Sequence, residues 1–465
     1  MAIYPSIEKL LYYGREHLML DDLDYIYARN LLLDALKLNE YVQYEIDTES
    51  IDILTCPDEV LTPIVDYAIS QKITTESERD AFGDMIMNLI TKRPSEVTDF
   101  FLMNHRKYQI KAFEWLYDYS FKSDFIKGRR VLENKHWEAK ATKGKIEINI
   151  NSQVNEATGK GSKYPECYLC KENEGFMGAR TLRTIPVTLS DEEWFWQYFP
   201  QNYFYQSGAL TSAEHHPMHL DARALHKMLE FCDFAPSFFA GYNTLSNPSH
   251  EHFMGGAKVL PLFKAPNLKN YKCSASPYIE ISELDWYGNV LSFSYTNKEH
   301  LSNFVIEVIN KWLEYNADKI NAGDNGVAVI ARRSQDQKYT LDVIFRNRAI
   351  ISTEGTNVVG DHFGLLEACG YFVLPSRLKS QMELIEKYLT KESRFNSAKP
   401  DETLANIVPT VEKLIKETGS KVTLAEANLN FRDEIARICE GIIESSRVFQ
   451  KDEDFQKFLD TLDIK

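Results

Sequence analysis

The chain has 465 residues, of which 44% are hydrophobic and 12% aromatic, and it carries a formal net charge of −15. That length exceeds one simple core and predicts two or three domains, or a doubled architecture. The acidic balance argues against a nucleic-acid surface, which needs lysine and arginine to neutralise phosphates, but it suits small anionic substrates held in a locally basic pocket.

The seven cysteines are Cys56, Cys167, Cys170, Cys232, Cys273, Cys369 and Cys439. An odd number with a single close pair predicts no disulfide framework and a reducing compartment. The first residues, from Met1 to Lys9, lack the apolar core of a signal peptide. No apolar run reaches the roughly 18 residues of a membrane span. The expected location is the cytoplasm, with no nucleic-acid or membrane partner.

Residues 1–128 read as helical. Ile7, Leu10, Leu11 and Tyr13 begin an apolar stripe, and Asp21, Asp22 and Asp24 give a second helix an acidic start. Thr74 to Glu78 resembles a helix cap, and Pro94 to Val97 starts another helix. Lys145 to Asn151 alternates apolar and polar residues, which predicts a half-buried strand, and 151–163 reads as a polar loop. Strands are expected at Thr184–Leu189 and Tyr203–Leu210. A helix is expected over Ala222–Phe239, capped by Asp221. Further strands are predicted at 277–281, 327–331 and 339–345, with an amphipathic helix at 301–315. The chain turns helical again from about 376, where charged faces read as solvated helix surfaces.

Two motifs carry chemistry. In Pro248 to Gly256, an extended run would place His250 and His252 on one face, roughly 6.5–7 Å apart, with Glu251 pointing away. One imidazole would suit a metal and the other a nucleophile; the bland reading is two solvated histidines. The pair Gly255 and Gly256 lets backbone approach a ligand, and N–H groups there would receive phosphate oxygens. Cys167-x-x-Cys170 has the spacing of a zinc knuckle. A redox pair is disfavoured because Glu166, Glu172 and Glu174 lie close by and raise the thiol pKa. Two more ligands are needed, with His215, His216, His219 and His250 as candidates. His216 and His219 are expected to be surface residues.

Tyr164–Gly175 (YPECYLCKENEG), the aromatic run Trp194–Tyr198, Ala213–His215 and Ser249–Gly256 (SHEHFMGG) resemble, in this order, the class II galactose-1-phosphate (hexose-1-phosphate) uridylyltransferases of the histidine-triad superfamily. Asp24–Asn30 and Val373–Leu378 are similar to the same class. The resemblance implies an α+β fold of histidine-triad-like antiparallel sheets in two related halves, with a helical N-terminal region and a helical C-terminal tail. The expected division is a helical region at 1–128, a zinc-containing catalytic half at 129–270, and a second half with C-terminal helices at 271–465. It implies ping-pong transfer of UMP between a UDP-sugar and a sugar 1-phosphate. On the same resemblance His252 would be the nucleophile, and a structural zinc would sit on Cys167, Cys170, His215 and His250. Asn243 is placed on the nucleotide side, with Ser249, Met254, Gly255 and Gly256 as further substrate contacts. A homodimer is implied.

Three departures from the pattern stand out. Met254 occupies the place of the family's glutamine, and a thioether cannot donate a hydrogen bond. The Asn243–His250 segment is shorter than in the class. The histidine-rich run before the LPSRL-like stretch is reduced here to His362. Two alternatives therefore stay open. One is a related nucleotidyltransferase or phosphorylase with another nucleotide or acceptor; the other is a catalytically silent, zinc-stabilised nucleotide-binding protein.

Overall fold

The computed structural model describes residues 3–154, 164–246, 248–334, 336–351, 355–360 and 364–465. The predicted loop at 151–163 lies outside the described residues from 155 onward, as does His362.

The N-terminal region is helical, as the apolar periodicity predicts. Its longer helices are Tyr4–Leu18, Tyr25–Ala35, Asp58–Ser70, Arg79–Asn88, Pro94–His105 and Gln109–Lys122. Pro94 takes the first helical position, where its missing N–H costs nothing, and the Glu96 carboxylate accepts from the Arg93 N–H at 3.0 Å. This bundle is fused to the sheet by aromatic packing. The Phe113 ring lies 4.7 Å from that of Phe238, and the Tyr198 hydroxyl donates to the Phe113 carbonyl at 2.8 Å.

Thirteen strands follow among the described residues. β1 (Lys135–Ala141) and β2 (Gly144–Ile150) form a hairpin, and β13 (Tyr371–Leu374) joins β2 in parallel as a small separate sheet. The rest are β3 (Ile185–Leu189), β4 (Glu192–Tyr198), β5 (Gly208–Ser212), β6 (Phe238–Asn243), β7 (His252–Ala257), β8 (Asn267–Tyr271), β9 (Glu280–Leu284), β10 (Val290–Tyr295), β11 (Asn325–Arg333) and β12 (Tyr339–Asn347). They build one antiparallel sheet in the order β3-β4-β5-β7-β6-β11-β12-β10-β9-β8.

That order is its own mirror image. Each half runs three strands, a helix and two strands: β3, β4 and β5, helix Ala222–Phe234, β6 and β7, then β8, β9 and β10, helix Lys298–Leu313, β11 and β12. The halves join where β6 pairs with β11, with Asn243 opposite Ala328. The repeat changes over between Ala257 and Asn267, a few residues before the expected break at 270.

Both faces of the sheet are buried, so β11 reads as a continuous apolar run rather than an alternating one. Val327, Val329 and Ala331 face one core with the two repeat helices, whereas Ala328 and Ile330 face a second core. The second core is closed by the C-terminal helices Arg377–Leu389, Val408–Thr418 and Leu424–Ser445.

Some element boundaries differ from expectation. The helix predicted over 222–239 ends at Phe234, and Phe238 and Phe239 open β6 instead. Pro236 disfavours helical backbone before it, and the buried aromatic run serves the sheet. Of the strand predicted at 203–210, only the part from Gly208 is extended, because Gln206 turns the chain at φ 58°. Asp221 does cap its helix, accepting from the Ala224 N–H at 2.7 Å.

Candidate active site and metal centre

The knuckle Cys167–Cys170 lies in a turn tied down from two directions. Asn173 donates to the carbonyls of both Cys167 and Cys170 at 2.8 Å. Gln197, buried on β4, donates to the Leu169 carbonyl at 2.7 Å and fixes the turn to the sheet. Cys167 Sγ then stands 3.4 Å from Cys170 Sγ and 3.3 Å from His250 Nδ1. Cys170 Sγ stands 3.3 Å from His215 Nδ1 and 3.6 Å from His250 Nδ1.

All four ligand atoms fall within 4.8 Å of one another, the sole such cluster found among the described residues. A tetrahedral zinc with ordinary bond lengths sets S···S edges near ~3.8 Å and S···N edges near ~3.5 Å, so the donor set fits one ion of that size. The Nε2–H of His250 donates to the Ser212 carbonyl at 3.0 Å, which reserves Nδ1 as the ligand atom. Burial pushes the Cys170 thiol up to about 11, so a thiolate there calls for a bound cation.

His250 precedes β7, and His252 is the strand's first residue. The pair is therefore not an extended run presenting both rings side by side. His250 turns into the cysteine cluster, while the His252 ring nitrogen Nδ1 sits 2.8 Å from the His250 carbonyl oxygen. A carbonyl only accepts, so Nδ1 carries the proton and Nε2 keeps its lone pair. Burial holds the His252 pKa below the ordinary histidine value, which favours the neutral, nucleophilic ring.

Alternation along β7 sends His252 and Met254 to one face and Phe253 to the other. Phe253 stacks on Trp194, with centroids 5.2 Å apart and planes 5° apart. Burying a ring of this size contributes about 1.5–3 kcal/mol and anchors the strand that carries His252.

Glu251 points away from His252, as expected, but into the protein rather than to solvent. It is 4% exposed, with Lys227 Nζ and His216 Nε2 each 3.6 Å from a carboxylate oxygen. Its N–H donates to the His216 carbonyl at 2.7 Å, so it also holds the loop that delivers His215. His219 is exposed, as expected, while His216 is only half-exposed.

His252 opens onto a cavity of about 300 Å³ lined by Gly241, Asn243, Ser246, Met254 and Leu365, among others. Asn243 and Met254 therefore come together with His252. Ser249 is exposed and is not among the described lining residues. Gly255 and Gly256 are buried within β7, which is paired on both sides. A Cβ at Gly255 would meet the Phe239 oxygen at 2.8 Å, and one at Gly256 the Gln206 oxygen at 2.6 Å. The glycine pair thus answers a close approach of backbone to backbone.

Three lining or supporting residues were not visible in the sequence: Ser246, Leu365 and Arg346. No local motif marks Leu365, which lines the cavity, or Arg346, which bonds to the lining residues Asn243 and Gly364, each from some hundred residues beyond His252. A larger cavity, about 810 Å³, lies between the N-terminal helices and the knuckle region. Two of its three arginines are already engaged: Arg180 by Asp84 and the Ala81 carbonyl, and Arg183 by the carbonyls of Lys92, Arg180 and Leu182. Neither a histidine nor a cysteine is among its described lining residues.

A doubled three-strand, helix, two-strand sheet with a Cys₂His₂ cluster beside a half-buried histidine has the histidine-triad-like architecture expected from the sequence. The comparisons are specific beyond that. Residues 20–184 match the family model described as galactose-1-phosphate uridyl transferase, N-terminal domain. A protein named galactose-1-phosphate uridylyltransferase from Clostridium acetobutylicum is 30% identical, over 84% of this chain and 86% of its own. Proteins of the same name are 29% identical in Caldanaerobacter subterraneus (99% and 98% covered) and 28% identical in Bacillus subtilis (100% and 99% covered). The comparison with solved structures returned no match. The chain belongs to the galactose-1-phosphate uridylyltransferase family. Among the described residues, no helix is long and apolar enough to cross a membrane.

Proposed function

We propose that this protein moves UMP between a UDP-hexose and a hexose 1-phosphate by a ping-pong path through a uridylyl group on His252. The observation that carries the reading is the orientation of His252. Its Nδ1–H is engaged by the His250 carbonyl, and Nε2 is left at the cavity.

In the first step Nε2 attacks the α-phosphorus of the UDP-sugar. A P–N bond forms, the P–O bond to the β-phosphate breaks, and the sugar 1-phosphate leaves with that electron pair. The hydrogen bond from Nδ1 to the His250 oxygen stabilises the positive charge that the ring acquires. In the second step an oxygen of another sugar 1-phosphate attacks the same phosphorus and expels Nε2. Splitting one transfer into two displacements at phosphorus, with Nε2 entering in the first and leaving in the second, needs no net proton transfer. Asn243 and Met254 line the space beside the reacting phosphorus.

Cys167, Cys170, His215 and His250 would hold a zinc ion. With four protein ligands such an ion is structural, and its contribution is to fix the backbone of His250, on which the His252 ring rests. Galactose 1-phosphate is the acceptor named in the relatives and is proposed here on that basis.

The test is isotope exchange. Labelled glucose 1-phosphate should enter UDP-glucose without a second acceptor, because the first half-reaction is reversible by itself. Exchange that requires a second sugar phosphate would rule out the covalent path.

A further inference from the structure

The last long strand of the second half of the sheet supports the cavity from behind, through residues that line it. Arg346, on β12, is 2% exposed. One of its nitrogens, Nη1, donates both to Asn243 Oδ1 and to the Gly364 carbonyl, each at 3.2 Å. Both acceptors belong to residues that line the cavity. Asn243 ends β6 beside the nucleophile strand, and Gly364 precedes the short helix Leu365–Ala368, whose Leu365 lies over Gly241.

Resting on the function proposed above, we infer that Arg346 is a positioning residue for uridylyl transfer. It fixes which edge of Asn243 meets the phosphoryl group and how far the Leu365 wall stands from His252. The chemistry of the guanidinium dictates the first part. Arginine has only donors, so the amide oxygen of Asn243 must face it, and that oxygen also receives the Leu245 N–H at 3.4 Å. With its oxygen edge committed, Asn243 turns its NH₂ edge the other way, and one of the two hydrogens there suffices for a phosphoryl oxygen. A freely flipping amide would present its oxygen part of the time and repel the anion. Met254 supplies no donor on this side, so the transfer depends on Asn243 more than it would with a glutamine at that place.

The second part follows from the fork. A guanidinium nitrogen spans two acceptors in fixed geometry, whereas an ammonium on a flexible stem does not. Arg346 thus ties the second half of the chain to the catalytic half at the reacting centre.

The experiment is a double-mutant cycle on the full-length protein with Asn243→Ala, Arg346→Met and their combination, with Arg346→Lys alongside. Each is measured for kcat and KM with UDP-glucose, for UMP affinity and for zinc content. A positioning role predicts that Arg346→Met and Asn243→Ala each lower kcat by about 10²-fold with zinc retained. It also predicts that the double variant is no more than about twofold worse than the poorer single variant, since the two act as one unit. Arg346→Lys should recover less than a tenth of wild-type kcat.

Multiplying single effects, or full activity in Arg346→Lys, would overturn the inference while leaving the proposed function intact. If Arg346→Met does not fold, Arg346→Lys takes its place in the cycle and the same two outcomes decide. A wild-type protein that neither turns over UDP-glucose nor binds UMP would overturn the proposed function, and this inference with it.

Discussion

The ring of His252 rests on the backbone of His250: Nδ1 of the one lies 2.8 Å from the carbonyl oxygen of the other. The side chain of that same His250 points into the cysteine cluster, with Nδ1 3.3 Å from Cys167 Sγ. A single residue thus joins the candidate metal centre to the candidate nucleophile, through its side chain on one side and its main chain on the other.

Breaking the metal centre should therefore cost both stability and activity. Cys167→Ser is expected to bring zinc from about one per chain to near zero and to lower stability by about 4 kcal/mol or more, because a structural metal contributes folding free energy directly. Metal analysis and denaturant unfolding of the same preparation check this. Wild-type protein purified without chelator and free of zinc would contradict the ligand assignment.

Met254 is expected to limit the rate. It shares the cavity with His252 and has no hydrogen to offer a phosphoryl oxygen. Met254→Gln adds a donor at that point and should raise kcat for UDP-glucose exchange about tenfold or more. An unchanged or lower kcat would mean that another group already occupies that role.

The glycine pair is expected to matter for packing. Gly256 has φ 148°, and a side chain there would press on the Gln206 carbonyl. Gly256→Ala should destabilise the protein by about 2–4 kcal/mol, read as a shift in the denaturant midpoint. A midpoint equal to that of wild type would show that the 206–256 contact relaxes freely.

One pH effect follows from the N-terminal region. Burial, partly offset by Lys127, raises the Asp124 carboxyl to about 6, above its unfolded value of 3.8. A folded pKa above the unfolded one means that stability is fully present below about 4 and is lost as pH rises through about 6. Asp124→Asn, compatible with the positive φ of 63° at this position, should be more stable than wild type by about 1–3 kcal/mol at pH 8 and by little at pH 4. Parallel unfolding curves at the two pH values test this. A gain that is equal at both would assign the effect to something other than ionisation.

Much of the site was legible because its residues cluster in short motifs. The spacing of Cys167 and Cys170 and the alternation of His250 and His252 carry chemistry within a few residues, and the structure brings all four of the ligands expected from the resemblance together. What stayed hidden depends on long-range placement. Arg346 and Leu365 look like ordinary strand and helix residues until β6 pairs with β11 and the 364–368 segment folds over Gly241. Glu251 carries a charge that reads as exposed, and only the helix bearing Lys227 explains its burial.

The fold divides in the same way. Periodicity marked most of the helices, and β11 and β12 read as apolar runs. Phe238 and Phe239 extended a helical pattern that Pro236 had already ended, and the aromatic run Trp194–Tyr198 showed no sign of being a strand until it lay between β3 and β5.

The most direct test of the account is the intact mass of the protein after incubation with UDP-glucose, with His252→Ala as the control. The account predicts a mass increase of one uridylyl group in wild type, none in His252→Ala, and its loss when glucose 1-phosphate or galactose 1-phosphate is added. Wild-type protein that binds the nucleotide, holds its zinc and still shows no adduct would contradict the covalent role of His252.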